Sequence, residues 1–285
     1  MNRRSFLVGA GCAAGSLSGC TDLAGRADAE VAERDLPDRP EGLTPESVAA
    51  YVADYEEVRA HNSHAADGAA EVTIDATATF DHAAGDDHVA TAQHAGTVYH
   101  ENDEGVRSVG EVYSEPTPYL VSPERTLSMD VDRRTVGDGD RESGDDDDRE
   151  PAGDESTSPP LGVRLLNVTG EPREVVVTVT RTDPIDDGED GSADDAEGAA
   201  ADDDAEAETV AEVDTAVAAE SAVVLASIAN VRGGYHVIAR MEDNGVTGEG
   251  RIEVGLPSAD RDPNVDVVID DAGISTWHLP SFDGI

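Results

Sequence analysis

Short runs in which an apolar residue stands at every second position recur along this chain, and they limit the folds it can adopt. Four clear examples are 72–80, 161–165, 175–179 and 235–239. Side chains of a strand point alternately to opposite faces, so this period of two predicts strands with one buried face. Valine, the commonest large aliphatic residue at 32 of 285 positions, favours strands through its β-branched side chain. The chain is therefore expected to be mainly β.

Residues 44–135 are expected to form a small α+β domain. Thr44 followed by Pro45 is typical of a helix start, since Thr is a good N-cap and Pro fits the first helical position. Apolar residues at helical spacing continue this helix to about His61 and Asn62. Strands are then predicted at 72–80, 88–99, 107–113, 119–122 and 125–133.

Residues 161–278 carry seven or eight short alternating runs with frequent turns, the pattern of an antiparallel β-sandwich. The strongest hairpin signal is Asn244-Gly245. A two-residue turn there sets the register of the flanking strands and places Glu253 on the solvent face. The predicted pairs are Asp243 with Val246, Tyr235 with Val254, and Val237 with Ile252.

The run Gly234–Ala239 is similar to the strand that carries the tyrosine corner of immunoglobulin-like and fibronectin-type domains, with Tyr235 as the tyrosine. Residues 161–278 therefore resemble that group of surface domains. The Cys…Trp…Cys pattern is absent, which excludes an immunoglobulin domain of the disulfide type.

Four segments lack this patterning and are expected not to contribute to a folded core. Residues 136–160 and 183–208 are acidic runs that cannot bury enough apolar surface to order themselves. The first is predicted to be a disordered linker and the second a disordered loop within the sandwich. Residues 21–43 are interpreted as a flexible acidic tether, and 279–285 as a tail.

Residues 1–20 have the form of an export signal. Arg3 and Arg4 precede an apolar stretch of twelve residues, 6–17, which is too short to span about 30 Å of hydrocarbon as a helix. The pair with Ser5-Phe6-Leu7 resembles a twin-arginine signal, and 17–20 (Leu-Ser-Gly-Cys) resembles a lipobox. These resemblances imply export of a folded chain, cleavage before Cys20 and lipid attachment to its thiol.

Acidic residues dominate the charge. The chain has 63 acidic and 19 basic residues, a formal net charge of −44, and every basic residue is arginine. At about 1 M salt the Debye length is about 3 Å, so carboxylate repulsion is screened. Such composition resembles proteins of extremely halophilic archaea, and folding is expected to need salt. The acidity argues against nucleic-acid partners, whose phosphates need basic side chains.

Histidines offer the one hint of a metal site. His82 and His88 flank a predicted turn at 83–87, and direct pairing would bring their Cβ atoms to about 5 Å, close enough to share a cation. His94 continues the same spacing of six. The alternative to a metal site is that these histidines are polar residues of a solvent-exposed hairpin tip. Asn167-Val168-Thr169 is a glycosylation sequon inside a predicted strand.

No catalytic motif is present: the chain has no Gly-x-Ser-x-Gly and no phosphate-binding glycine loop. The favoured interpretation is a non-enzymatic surface lipoprotein, held at the extracellular face of the cell membrane by Cys20, with no cofactor. The alternative is an accessory protein that binds a metal ion or small solute through the His82/His88 hairpin.

Overall fold

The computed structural model describes residues 31–136, 156–182, 208–243, 246–258 and 261–280. Arg3, Arg4 and Cys20 lie outside these residues, as do nearly all of the predicted linker and acidic loop. The described chain contains one helix, α1 (Pro45–Ala66), and fourteen strands. The strands are β1 (Glu71–Ala84), β2 (Asp87–Glu101), β3 (Arg107–Tyr113), β4 (Thr117–Val121), β5 (Thr126–Ser128), β6 (Asp130–Thr135), β7 (Ser156–Asn167), β8 (Arg173–Arg181), β9 (Glu208–Val217), β10 (Ser221–Val231), β11 (Gly233–Asp243), β12 (Val246–Leu256), β13 (Val265–Asp270) and β14 (Gly273–His278). The expected mainly β fold with a single helix is confirmed.

Three sheets organise the strands. Sheet 1 has the order β1-β2-β4-β5, with β3 paired to the far end of β2. Sheet 2 has the order β14-β13-β7-β10-β6, and sheet 3 the order β12-β11-β8-β9. Most neighbours are antiparallel, but in sheet 2 β13 runs parallel to β7 and β6 runs parallel to β10. Sheet 2 is thus mixed, whereas a purely antiparallel sandwich was expected.

Helix α1 covers one face of sheet 1. Thr44 and Ser47 form a capping box, in which Thr44 Oγ1 accepts the Ser47 backbone N–H at 3.2 Å and Ser47 Oγ accepts that of Thr44 at 2.9 Å. The helix ends at Ala66, beyond the predicted end at Asn62, because Ala65 is buried and the helix continues until Gly68 takes a φ of 77°. No helix of the described residues is long and apolar enough to cross a membrane.

Of the predicted tether, residues 21–30 lie outside the described residues, and residues 31–43 pack on the domain. His61 Nε2 lies 3.1 Å from the Ala32 carbonyl oxygen, and the Asn62 side-chain amide bonds both the N–H and the carbonyl of Arg34 at 2.8 Å. Arg39 reaches the Pro123 carbonyl. These backbone contacts fix residues 31–43 along α1 and sheet 1.

Sheets 2 and 3 form the sandwich. Their facing sides share one core of valines and leucines that includes Val163 and Leu225 from sheet 2 and Val177 and Val237 from sheet 3, each with an exposure of 0%. Tyr235 Oη donates to the Val231 carbonyl at 2.6 Å, the hydrogen bond of a tyrosine corner. Seven or eight strands were predicted for this half, and eight are present, β7 to β14.

Sheet 2 is covered on its second face as well, by sheet 1. Val89 and Leu120 of sheet 1 pack with Leu166 and Val268 of sheet 2 in a separate core, and Met129 lies in the same cluster. Met129 stands between β5 and β6, so the chain passes from sheet 1 into sheet 2 within one residue. The predicted strand 125–133 is therefore two strands in two sheets, and β6 joins the strands of the second half. Residues 156–160, assigned to the linker, begin β7.

The predicted register of the β11–β12 hairpin is confirmed. Tyr235 lies opposite Val254 and Val237 opposite Ile252. Three of these side chains are buried and Ile252 packs half-buried against the same core, while Glu253 is exposed. The turn residues themselves, 244–245, lie outside the described residues.

Truncation of Val237 tests this register energetically. Val237→Ala is expected to lower the free energy of unfolding by about 1–3 kcal/mol, because it removes two buried methyl groups and leaves a cavity. The control Glu253→Ala is expected to change it by less than about 0.5 kcal/mol. Denaturant unfolding in molar salt measures both. Equal effects of the two substitutions would contradict the assignment of faces.

Candidate functional site

A β-bulge near the tip of the β1–β2 hairpin creates the most unusual polar cluster of the molecule. Phe80 pairs with Ala90, but His82 pairs with Val89, so Asp81 is one residue too many in β1. A bulge re-aims side chains. Here two successive polar side chains, Asp81 and His82, both contact the second half of the chain.

Asp81 is the acceptor at the centre of one side of this cluster. Its Oδ2 accepts hydrogen bonds from Thr91 Oγ1 at 2.6 Å and Arg164 Nη2 at 2.7 Å. Its Oδ1 accepts one from Arg261 Nη1 at 2.7 Å. Thr91 Oγ1 in turn accepts from Arg164 Nη1 at 2.6 Å and Arg261 Nη2 at 2.9 Å. One carboxylate and one hydroxyl of sheet 1 thus bind two arginines of the second half.

Asp266 completes the cluster from β13. It lies next to Arg164 of β7 in the parallel register, and its two oxygens accept from Arg164 Nε at 2.7 Å and Nη2 at 2.6 Å. Its Oδ2 also lies 2.9 Å from His82 Nε2. The His82 ring stacks on Trp277 of β14, with centroids 5.0 Å apart and an interplanar angle of 1°. We call the side chains of Asp81, His82, Thr91, Arg164, Arg261 and Asp266 the buried network.

Burial decides the electrostatics of the network. The two arginines and the two aspartates are each less than 4% exposed in their side chains, and their formal charges cancel. Burial raises the pKa of Asp266, but Arg164 and His82 outweigh it and hold this pKa below its usual value. Burial lowers the pKa of Arg164, but Asp266 and Asp81 outweigh it and raise this pKa above its ordinary value. Both groups therefore stay ionised in the folded protein.

The predicted direct pairing of His82 with His88 is wrong. The body of the hairpin has the predicted register, but the bulge at Asp81 shifts the tip by one residue, so His88 pairs with Ala83. The His88 ring lies 6.1 Å from Phe80, and its Nδ1 lies 3.2 Å from the Asp86 carbonyl oxygen. His82 and His88 thus occupy different environments. The described residues contain no group of three His, Cys, Asp or Glu side chains placed to hold a metal ion.

His94 belongs to a second cluster, between α1 and sheet 1. The Glu56 carboxylate, 0% exposed, accepts from Arg59 and Tyr119 and lies 2.6 Å from His94 Nδ1. Burial raises the pKa of Glu56, but these three partners outweigh it and hold the pKa below its usual value. Burial and Glu56 together raise the pKa of Tyr119. The cluster joins the helix to the sheet and leaves no carboxylate oxygen free for other chemistry.

An open groove of about 830 Å³ crosses the four strands of sheet 3. Most of its lining residues are exposed, and its charged residues are four acids and one arginine. The lining residues include Glu174, Asp214, Glu242 and Glu249, with Arg240 and Val176. Arg240 Nε donates to Glu249 at 2.8 Å, so the remaining carboxylates give the groove a negative potential that disfavours anions.

Asn167, the sequon asparagine, is 0% exposed. Its Nδ2 donates to the carbonyls of Glu171, Val217 and Ala218, and its Oδ1 accepts from Thr169. The side-chain nitrogen that a glycan would need has no access in the folded chain. The sequon is a structural motif that holds the corner after β7.

Sequence reasoning missed the buried network, although one signal was available. Strands 221–226 and 265–269 contain consecutive apolar residues rather than strict alternation, the pattern of a sheet covered on both faces. Asp266 stands inside the second of these runs, and Arg164 lies between Val163 and the consecutive leucines 165 and 166, where an unpaired charge would be costly. A charge of each sign in two doubly buried strands indicates an ion pair.

Neutralising Asp266 tests the network. Asp266→Asn is expected to lower the free energy of unfolding by about 3–5 kcal/mol at pH 7, because it leaves buried positive charge without its partner. The folded pKa of Asp266 lies below the unfolded value of about 3.9, so its contribution is complete above that value and is lost as the pH falls further. The stability difference between wild type and variant should therefore shrink below about pH 4. The control is Asp271→Asn, at an exposed carboxylate; a similar loss there would contradict the role of burial.

Removing the Asn167 side chain tests its structural role. Asn167→Ala is expected to cost about 2–4 kcal/mol, since it leaves buried carbonyls and the Thr169 hydroxyl without a partner. The exposed Asn230 is the matched control, and Asn230→Ala should cost less than about 0.5 kcal/mol. Thermal and denaturant unfolding measure both variants. Detection of a glycan on Asn167 of the folded protein would refute the structural assignment.

Comparison of the chain with protein-family models, with curated proteins and with solved structures finds no match to any of them. Its function is therefore inferred from the chain itself, whose described residues form two polar clusters that join elements of the fold to each other and an open groove with four acidic side chains.

Proposed function

We propose that this chain is a non-enzymatic surface lipoprotein of a salt-rich environment, attached to the outer face of the cell membrane through Cys20. Its two halves would act as one extracellular unit with a binding or structural role. The anchor assignment rests on the lipobox-like residues 17–20 and the paired Arg3 and Arg4.

The polar side chains of the two clusters support the non-enzymatic part of the proposal, because they bind one another. In the buried network, two arginines and two aspartates bind one another, and each is almost inaccessible to water. In the second cluster, Glu56 is surrounded by three partners. General acid–base catalysis needs a titratable group within reach of a substrate. These clusters instead stabilise the contacts between α1, sheet 1 and sheet 2.

The distance from the anchor to the folded unit is short. Ten residues, 21–30, separate Cys20 from the first described residue, Val31. A chain of that length reaches at most roughly 35 Å. Since residues 31–43 pack on α1 and sheet 1, the unit would stand close to the lipid headgroups, with sheets 2 and 3 further along the chain.

The acidic surface fits the same setting. With a net charge of −44, the carboxylates of the chain would repel one another strongly in dilute buffer, whereas molar salt screens this repulsion. The alternative role, a metal or solute site at the His82/His88 hairpin, is not retained. The bulge separates these two imidazoles, and His82 is bound to Asp266.

Replacement of the proposed anchor is the direct test. Cys20→Ser removes the thiol that would be lipidated, so the protein should appear in the medium or stay unprocessed at the membrane with its leader. The matched control is Cys12→Ser, which changes the other cysteine of the leader and should leave the mature protein in the membrane fraction. Cell fractionation with intact-mass analysis reads both. A cleaved Cys20→Ser protein that remains in the membrane would overturn the anchor.

The same assay separates the anchor from the export route. The double variant Arg3→Lys, Arg4→Lys should block export of the folded chain and leave the precursor inside the cell. Normal export of this variant together with lipidation at Cys20 would keep the lipoprotein proposal but reject the twin-arginine route.

A further inference from the structure

Strand β3 is the most exposed strand of sheet 1. It pairs only with β2 among the described strands, and only one of its seven residues, Val112, is even half-buried. Three of the five large apolar residues that are strongly exposed in the described chain lie on or beside it. They are Val106 at 59%, Val109 at 62% and Tyr113 at 73%.

The backbone of β3 leaves one set of polar groups at this edge. Ser114 N donates to the His94 carbonyl and Asn102 N donates to the Val106 carbonyl, so the even-numbered residues bond to β2. Successive residues of a strand point their N–H and carbonyl groups to opposite sides. The odd-numbered residues of β3 therefore present theirs to the free edge. They are Arg107, Val109, Glu111 and Tyr113.

The charge of β3 permits the strand to pair with β3 of a second copy of the chain. Its only charged residues are one arginine and one glutamate, so the strand is neutral in a chain of net charge −44. By contrast β9, one of the two edge strands of sheet 3, carries Glu208, Glu212 and Asp214 and no basic residue. Two copies of β9 would repel each other, which is a common protection of edge strands. β3 has no such protection and contains no proline.

We propose that β3 pairs antiparallel with β3 of a second copy of this chain, with the two-fold axis at Val109. In this register Val109 faces Val109 of the second copy, and Arg107 faces Glu111 in both directions. Val106 faces Val112 of the second copy and becomes partly buried. Tyr113 lies diagonally opposite Arg107 of the second copy, within reach of a cation–π contact.

Other registers of the same hydrogen-bonding parity are worse. A shift of the two-fold centre to Gly110 or to Ser108 places Val109 opposite a charged residue, and a shift to Glu111 or to Arg107 places two like charges opposite each other. Like charges directly opposite destabilise a strand pair, and opposite charges stabilise it. The sequence of β3 therefore selects the register centred on Val109. The contact is isologous, as closed homodimers require.

A pair of matched variants tests the interface. In full-length protein with Cys20→Ser, in about 2 M salt to screen repulsion between copies, analytical ultracentrifugation should find a dimer at micromolar concentration. Val109→Asp places two carboxylates at the axis and should raise the dissociation constant at least about tenfold. The control Val210→Asp adds the same charge at an exposed valine of β9 and should leave the dimer unchanged. Circular dichroism verifies that both variants keep the wild-type fold.

Single cysteines determine the register. In a background with Cys12→Ser and Cys20→Ser, Val109→Cys places two thiols on residues whose Cα atoms lie about 5.5 Å apart, within disulfide range. Glu111→Cys places them roughly 14 Å apart, out of range. Mild oxidation should cross-link the first variant and not the second. A wild-type monomer, a dimer insensitive to Val109→Asp, or preferential cross-linking at 111 would each overturn the proposal.

Discussion

The structure depends on one buried cation. Arg164 lies in the middle of a sheet that is covered on both faces, with 3% of its surface exposed. A buried guanidinium needs hydrogen-bond acceptors for its N–H groups and negative charge to balance its positive charge. Asp266 on the next strand and Asp81 on another sheet supply both, and Thr91 supplies a further acceptor. Removing either carboxylate leaves the buried network with an uncompensated positive charge, which is more costly than the net gain from the intact pair. The network thus sets how sheet 1 lies on sheet 2.

Salt acts differently on the inside and the outside of this molecule. Mobile ions screen the exposed carboxylates, whose repulsion falls as the Debye length shortens. The buried network excludes solvent and is neutral in itself, so screening by salt reaches it weakly. We therefore expect the junction of the two halves to be less sensitive to ionic strength than the surface that surrounds it.

The local sequence pattern predicts where the strands are, but not which distant strands and side chains they contact. The apolar runs located strands β7 to β14, and the two-residue turn at Asn244-Gly245 gave the Tyr235–Val254 register, because both are properties of neighbouring residues. The bulge at Asp81 leaves no trace in the alternation, since Phe80, Asp81 and His82 read as an ordinary strand. The contact of His82 with Asp266 joins positions 184 residues apart, and no periodicity reports such a distance. The consecutive apolar residues in β10 and β13 do indicate that sheet 2 is buried on both faces, and this was the sequence signal for a second sheet packed on it.

The sequence separation of these contacts bears on how the chain folds. Thr91 and Asp81 reach arginines 73 to 180 residues further on, and β6 finds its place only beside β10. Contacts this distant close late and slow the folding of a chain. The first hairpin can pair as soon as it is synthesised, but its bulge exposes a carboxylate whose partners Arg164 and Arg261 lie 83 and 180 residues further along the chain. Later strands therefore complete the first hairpin, and the unit reaches its native packing only after β13 has been synthesised.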